Sequence, residues 1–131
     1  MNDSILIIDD SKVIRKFLGD YLSDYYEVHT ASNGKEAFKW LRTFQTCSLV
    51  IADLNMPELD GFTFLSMIRD SGIYGEIPVI IVSGERKSQV RIDCLKAGAT
   101  DFITKPFNPE ELQVKIDKII SERKKGQLAN S

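Results

Sequence analysis

The chain alternates between short apolar runs and longer stretches in which apolar residues recur every three or four positions. Three continuous runs rich in β-branched side chains are typical of strands in a parallel sheet covered on both faces; they span residues 5–8, 49–52 and 79–82. Apolar and polar residues alternate over 26–30, which predicts a strand nearer an edge of the sheet. Residues 101–104 are a fifth candidate strand.

The stretches between and after these runs predict amphipathic helices, because their apolar residues fall on one helical stripe. Signals for the ends of these helices are Asp10-Ser11, Asn33-Gly34, Gly61, Gly98 and Asn108-Pro109. Strand and helix therefore alternate five times without a linker or internal repeat. With right-handed crossovers this order predicts one α/β domain, a parallel sheet with helices on both faces.

Composition adds little to this picture. The 131 residues are 43% hydrophobic and 27% charged, with a formal net charge of −2, values that exclude a disordered chain or a disulfide scaffold. The near-neutral balance gives no electrostatic drive toward nucleic acid or an anionic membrane. Cys47 and Cys94 form no metal or redox motif and fit a reduced compartment. No leader peptide or membrane span is predicted, so we expect a cytoplasmic protein.

Polar side chains follow the apolar runs where the predicted strands end. They are Asp9 and Asp10, Asp53, Ser83 and Lys105. Because ligands of parallel sheets bind beyond the carboxyl ends of the strands, we expect these side chains to converge at one edge. Three carboxylates in a small site repel one another, and a bound divalent cation such as Mg²⁺ relieves that repulsion.

Simpler interpretations stay open for the single residues. Asp9 and Asp10 could cap the first helix together with Ser11. Lys105 could be an ordinary surface lysine, although Pro106 keeps its backbone out of the α region and gives its side chain a defined base. These interpretations do not explain why polar side chains follow several strands at once.

Four stretches of the sequence carry a more specific signal. They are IIDDS at 7–11, DLNMPELDG at 53–61, IVSG at 81–84 and KAGATDFITKPF at 96–107. In this order they resemble the receiver domain of bacterial two-component response regulators, of the chemotaxis-regulator type. The resemblance implies a flavodoxin-like (βα)5 fold with strand order 2-1-3-4-5. It also implies a receiver domain over 1–122, followed at 123–131 by a tail or the start of a linker.

The resemblance assigns a role to each residue at the strand ends. Asp53 matches the aspartate that takes a phosphoryl group from the phosphohistidine of a partner kinase. Asp10 and Asp53 would ligate Mg²⁺ directly, Asn55 through its backbone carbonyl, and Asp9 through a water. Lys105 would hold phosphoryl oxygens together with the metal.

The same resemblance implies a switch. The hydroxyl of Ser83 would bond the arriving phosphoryl group, and Phe102 matches the aromatic residue that rotates inward in the active state. The face formed by the fourth helix, fifth strand and fifth helix would then change. Asn55 and Glu85 match positions that tune autodephosphorylation; the alternative is that they are solvated loop residues.

The implied protein is a signalling module rather than an enzyme. Its expected partners are a sensor histidine kinase or histidine phosphotransfer protein, and an output protein or a tethered output domain. No direct nucleic-acid binding and no membrane contact is expected, and the chain would be a monomer or a phosphorylation-dependent dimer. Whether it is a stand-alone regulator or the receiver of a longer protein stays open.

Two alternative functions are kept. A small Mg²⁺-dependent phosphatase could use Asp53 as nucleophile, but it would want a second acid where Asn55 stands. A flavodoxin-like flavin carrier would want a donor-rich loop after the first strand, where Asp9 and Asp10 would repel a flavin phosphate.

Overall fold

A computed structural model describes residues 3–44 and 46–129, and five strands alternate with five helices along them. The strands are β1 Ser4–Ile8, β2 Glu27–Ala31, β3 Leu49–Asp53, β4 Val79–Ser83 and β5 Asp101–Thr104. The helices are α1 Lys12–Leu22, α2 Gly34–Phe44, α3 Gly61–Asp70, α4 Ser88–Lys96 and α5 Pro109–Ala129. The alternation predicted from the hydrophobic pattern is confirmed.

All four strand pairs are parallel, and the order across the sheet is β2-β1-β3-β4-β5. The flavodoxin-like fold and its strand order are therefore as predicted. Strand order reverses beside β1, so the carboxyl ends of β1 and β3 flank the point where ligands bind in such sheets.

The sheet divides the core into two layers. Leu6 and Ile8 of β1 point into a cluster with α2, α3 and α4, whereas Ile5 and Ile7 point into one with α1 and α5. Strands β3 and β4 are buried along their whole length. Coverage on both faces is the physical reason that these strands are continuous apolar runs rather than alternating ones.

Helix α1 is capped by Ser11 and not by Asp10, because the Ser11 side chain accepts a hydrogen bond from the Ile14 N–H at 3.2 Å. Asp60 caps α3 in the same way, through the Thr63 N–H. Capping by Asp10 was one of the open interpretations, and that interpretation is wrong. Asp10 lies two residues beyond the end of β1 and is exposed.

Helix α5 continues to Ala129, past the domain boundary predicted at residue 122. Arg123 donates to the Ser48 carbonyl at 3.2 Å, and the ammonium of Lys124 lies 2.6 Å from the Asp3 carboxylate. The described part of the predicted tail is thus helical, and residues 130–131 lie outside the described residues. The boundary itself stays a prediction. Among the residues that the structure describes, no helix combines the length and apolarity needed to traverse a bilayer.

Candidate functional site

Asp9 is held at the end of β1 by four contacts. Its N–H extends the pairing with β2 by donating to the Ala31 carbonyl at 3.1 Å. Its Oδ1 accepts from the Ser11 N–H at 2.9 Å, and its Oδ2 lies 3.3 Å from Lys105 Nζ. Its carbonyl accepts from the Arg15 guanidinium at 2.7 Å. The β1–α1 turn is therefore fixed through both backbone and side chain.

Asp53 occupies the end of β3, with only 8% of its side chain exposed. Its Oδ1 accepts from the Asn55 N–H at 3.3 Å and lies 3.5 Å from Lys105 Nζ. Gly61 lies against this strand end: a Cβ built on it would lie 2.5 Å from the Asp53 carbonyl oxygen. Glycine at 61 thus allows α3 to begin directly beside Asp53.

The structure brings the three carboxylates of the strand ends together. Asp9, Asp10 and Asp53 each offer an oxygen within 4.8 Å of the other two. Asp9 and Asp53 are buried, whereas Asp10 is exposed. Lys105 contacts two of the three acids, so the cluster carries more negative than positive charge. This donor set suits a hard divalent cation that prefers carboxylate oxygens.

The electrostatics at Asp53 reflect this imbalance. Burial raises the pKa of Asp53 above its ordinary value, and the charge of Asp9 raises it further. The Lys105 ammonium and the Asn55 N–H act in the opposite direction without cancelling the rise. Any cation added beside these acids would stabilise the ionised carboxylate.

Ser83 and Glu85 lie together at the end of β4. Ser83 is fully buried, and its hydroxyl oxygen accepts from the Glu85 N–H at 2.9 Å. The Ser83 carbonyl accepts from the Lys105 N–H at 2.7 Å, which ties the ends of β4 and β5 together. The Glu85 carboxylate accepts from the Lys87 N–H at 3.2 Å. Lys105 is followed by a cis peptide bond to Pro106.

Phe102 is the second residue of β5. Its side chain is 7% exposed and belongs to the core cluster on the side of α2, α3 and α4. The ring is therefore turned inward in this structure. Asn55 is exposed, and its N–H contacts Asp53 as described above.

Two residues at the site were missed by the sequence reasoning. Arg15 binds the turn that carries Asp9 and Asp10. Its position in the first turns of α1 is a sequence signal for this contact, because side chains of a helix tilt toward the N-terminus of that helix. Gly61 was recognised only as a helix start, although its lack of a side chain also lets α3 approach Asp53.

An apolar groove adjoins the site on the α1 side. It has a volume of about 450 Å³, and Lys105 forms part of its wall. Val13 and Phe17 of α1 line it with 77% and 47% of their surfaces exposed, opposite Pro106 and Phe107. Exposed apolar side chains next to a polar site are typical of a contact surface.

Comparison with known proteins places this geometry in a family. The family model described as "Response regulator receiver domain" matches residues 5–117. The transcriptional regulatory protein SrrA of Staphylococcus aureus is 32% identical over 121 residues, which cover 92% of this chain and 48% of SrrA. The chain thus spans about half the length of the curated relatives that it matches.

Solved structures give the same result. The chemotaxis protein CheY4 of Vibrio cholerae superposes with a TM-score of 0.84 at 32% identity, covering 91% of this chain and 99% of that one. The receiver domain of Francisella response regulator 1452 superposes with a TM-score of 0.85 at 31% identity, covering 93% and 99%. The chain therefore belongs to the family of response regulator receiver domains of two-component systems.

Proposed function

We propose that Asp53 is the phosphoryl acceptor of this receiver and that a phosphohistidine of a sensor kinase or phosphotransfer protein is the donor. The observation that carries the proposal is the convergence of a buried Asp53 carboxylate with Lys105 Nζ, 3.5 Å away, and two further acids. An ionised carboxylate is the nucleophile, and Lys105 offers a fixed positive charge for the transferred oxygens.

The transfer exchanges one bond for another. A carboxylate oxygen of Asp53 forms a bond to phosphorus, the bond from phosphorus to the donor imidazole nitrogen breaks, and its electron pair stays on that nitrogen. The product is an acyl phosphate on Asp53. The surrounding residues orient the carboxylate: the Asn55 N–H and Lys105 both engage Oδ1.

A Mg²⁺ ion fits the acidic cluster by the chemistry of its donors, since the three acids offer oxygens within 4.8 Å of one another. Asp10 and Asp53 would hold it directly, Asn55 through its backbone carbonyl, and Asp9 through a water. When bound, the ion would supply positive charge that offsets the repulsion among the acids and the incoming phosphoryl oxygens. Lys105, which contacts Asp9 and Asp53, would add a second positive charge to the site.

The phosphorylated site would switch the face formed by α4, β5 and α5. Phosphorylation adds about −2 of charge at neutral pH and new acceptor oxygens. If the Ser83 hydroxyl turns toward them, its bond to the Glu85 N–H, 2.9 Å long here, is lost and the loop before α4 is released. Helix α4 suits such motion, because Cys94 is its one buried residue and Lys87 gives it no side-chain cap. Phe102, already inward, would be retained there by the active state.

Asn55 and Glu85 would tune the lifetime of the acyl phosphate, since both lie on loops beside it and Asn55 is exposed to the attacking water. The expected result for Glu85→Ala is a changed half-life with unchanged acceptance of the phosphoryl group. An unchanged half-life would remove Glu85 from the proposal.

The apolar groove beside Lys105 is our candidate contact for the phosphodonor. A donor that reaches Asp53 must cover the adjoining surface, where Val13 is 77% exposed. The output partner, whether a separate protein or a tethered domain, would read the α4-β5-α5 face. In this account the chain is a cytoplasmic signalling module and not an enzyme with a substrate of its own.

The test is incubation with Mg²⁺ and acetyl phosphate, followed by intact-mass measurement. The wild-type chain should gain one phosphoryl group, and the Asp53→Asn variant should gain none. An unmodified wild type, or equal modification of both chains, would refute the assignment. Omission of Mg²⁺ should abolish modification of the wild type.

A further inference from the structure

The peptide unit between Asp9 and Asp10 is bound by a side chain from α1. Arg15 donates from its guanidinium to the Asp9 carbonyl oxygen at 2.7 Å, in a partly buried contact. That oxygen belongs to the planar peptide group that joins Asp9 to Asp10. Because this group is planar, the contact with Arg15 also fixes the orientation of the backbone where it enters Asp10.

Asp10 depends on this backbone contact more than the other two acids do. Asp9 and Asp53 have side-chain contacts to Lys105 and to neighbouring N–H groups. Asp10 is exposed, and within residues 3–44 and 46–129 its carboxylate has no hydrogen bond or ion pair. The backbone of the β1–α1 turn therefore determines where the Asp10 carboxylate lies in the acidic cluster.

Arg15 is itself held in place by the helix. Its N–H donates to the Ser11 carbonyl at 3.0 Å in the first turn of α1, and Ser11 caps the same helix. Its neighbour Lys16 differs in surroundings, because the Lys16 ammonium pairs with Asp20 at 3.0 Å on the exposed side of α1. One cation faces the turn and the next does not.

We propose that Arg15 is a positioning residue for the metal site: its bond to the Asp9 carbonyl orients Asp10 toward the other two carboxylates. Its charge, fixed beside the turn, also opposes the repulsion among the acids. The inference rests on the proposed function, since it presumes that the cluster binds Mg²⁺. It adds an arginine outside the ligand set to the residues that determine metal affinity.

The test is calorimetric titration of the full chain with Mg²⁺. Arg15→Met keeps the length of the side chain but removes the donor and the charge, and should raise the Mg²⁺ Kd by about 10-fold or more, as is typical of residues that orient metal ligands. Arg15→Lys restores a charged donor and should recover most of that loss.

The matched control is Lys16→Met, which removes the same charge one residue along the helix. Because exposed charges are strongly screened, its Kd should stay within about 2-fold of wild type. Unfolding temperatures in EDTA separate a structural effect: a residue that only stabilises the fold lowers that temperature without changing the Kd of the folded chain. Equal Kd values for Arg15→Met and Lys16→Met would overturn the inference.

Failure of the inference and of the proposed function give different results. A wild-type chain that binds no Mg²⁺ refutes the metal site, whereas a wild type that binds it as tightly as Arg15→Met refutes the role of Arg15 alone. If Arg15→Met does not fold, Arg15→Gln decides, because it keeps a polar side chain but removes the guanidinium and its charge. The Kd of Arg15→Gln should then exceed that of Lys16→Met, and equality would again overturn the inference.

Discussion

Charged side chains are arranged differently at the two ends of the strands, which form the carboxyl edge and the amino edge of the sheet. At the carboxyl edge, which carries Asp9, Asp10 and Asp53, three acids lie together and one ammonium, that of Lys105, contacts two of them. At the amino edge, Asp3 has a partner of its own in Lys124, 2.6 Å away. The carboxyl edge therefore has an excess of negative charge, whereas Asp3 and Lys124 form a balanced ion pair at the amino edge.

Burial makes the contrast sharper. The side chain of Asp53 is 8% exposed and that of Asp3 is 23% exposed, so the cluster with excess negative charge contains the more buried of these two acids. A buried charge without full compensation destabilises a fold. Such an arrangement is expected where function requires it, whereas the Asp3–Lys124 pair at the amino edge balances its own charges. This difference marks the carboxyl edge as the candidate reactive edge.

The largest expected difference is in the rate of phosphorylation, between variants of Lys105 and Lys124. Lys105→Met should slow phosphorylation by acetyl phosphate about 100-fold, because it removes a fixed charge that stabilises the transferred oxygens. Lys124→Met, the matched change at the amino edge, should leave the rate within about 2-fold of wild type. Rates follow from intact mass against time. Similar rates for the two variants would contradict the division between the edges.

The next largest expected difference is in the free energy of unfolding, between variants of Gly61 and Gly126. Gly61→Ala should lower the free energy of unfolding by about 2 kcal/mol, since overpacking forces the backbone apart. The added Cβ would lie 2.5 Å from the Asp53 carbonyl oxygen and 2.8 Å from the Leu54 Cα. Gly126 in α5 has no atom within 4 Å of such a Cβ, and Gly126→Ala should raise the free energy by about 0.5–1 kcal/mol through helix propensity. Urea unfolding measures both, and effects of the same sign would contradict the close packing at Asp53.

A smaller effect is expected from the charge of Asp53 on the stability of the metal-free chain. Burial and Asp9 raise the pKa of Asp53 in the folded state, so the folded chain binds this proton more tightly than the unfolded chain. Ionisation therefore destabilises the fold above the raised pKa, and the penalty vanishes below the ordinary value of 3.8. In EDTA, Asp53→Asn should be about 1 kcal/mol more stable than wild type at neutral pH, as is common for replaced functional residues.

The advantage of Asp53→Asn should shrink as the pH falls toward about 4, because the wild-type carboxyl then becomes neutral in both states. Urea unfolding at a series of pH values follows it. A gap that stays constant or widens toward acid pH would show that the charge is not its cause.

The smallest effect is expected at the amino edge. Asp3→Asn breaks a partly exposed ion pair and should change the free energy of unfolding by about 0.5 kcal/mol, with phosphorylation unaffected. The same urea series measures it. A loss of several kcal/mol would mean that the Asp3–Lys124 pair anchors α5 far more strongly than an exposed pair does.

Much of the fold was predictable because it follows from local patterns. The apolar runs of β3 and β4 are continuous since both faces are covered, and Asp60 sits where its side chain caps α3. The strand order came from the resemblance to receiver domains, since periodicity alone does not order strands. The extension of α5 to Ala129 has no such local signal, because Arg123 and Lys124 find partners in Ser48 and Asp3, which are far away in sequence.

The residues of the candidate site could be predicted from the sequence more fully than the contacts among them. Strand ends of a parallel sheet meet at one edge, which predicts that Asp9, Asp53 and Lys105 lie together. Helical spacing directs Arg15 toward the start of its own helix, but it does not predict the bond to the Asp9 carbonyl, because that bond depends on the exact path of one turn. The capping of α1 by Ser11 was decided by the same turn.

The central claim is that Asp53 alone among the clustered acids accepts the phosphoryl group. After incubation with Mg²⁺ and acetyl phosphate, borohydride reduces an aspartyl phosphate to homoserine, and peptide mass spectrometry locates the converted residue. Homoserine is expected at position 53, with unchanged aspartate at positions 9 and 10. Conversion at Asp9 or Asp10, or a phosphorylated chain with Asp53 unconverted, would contradict it.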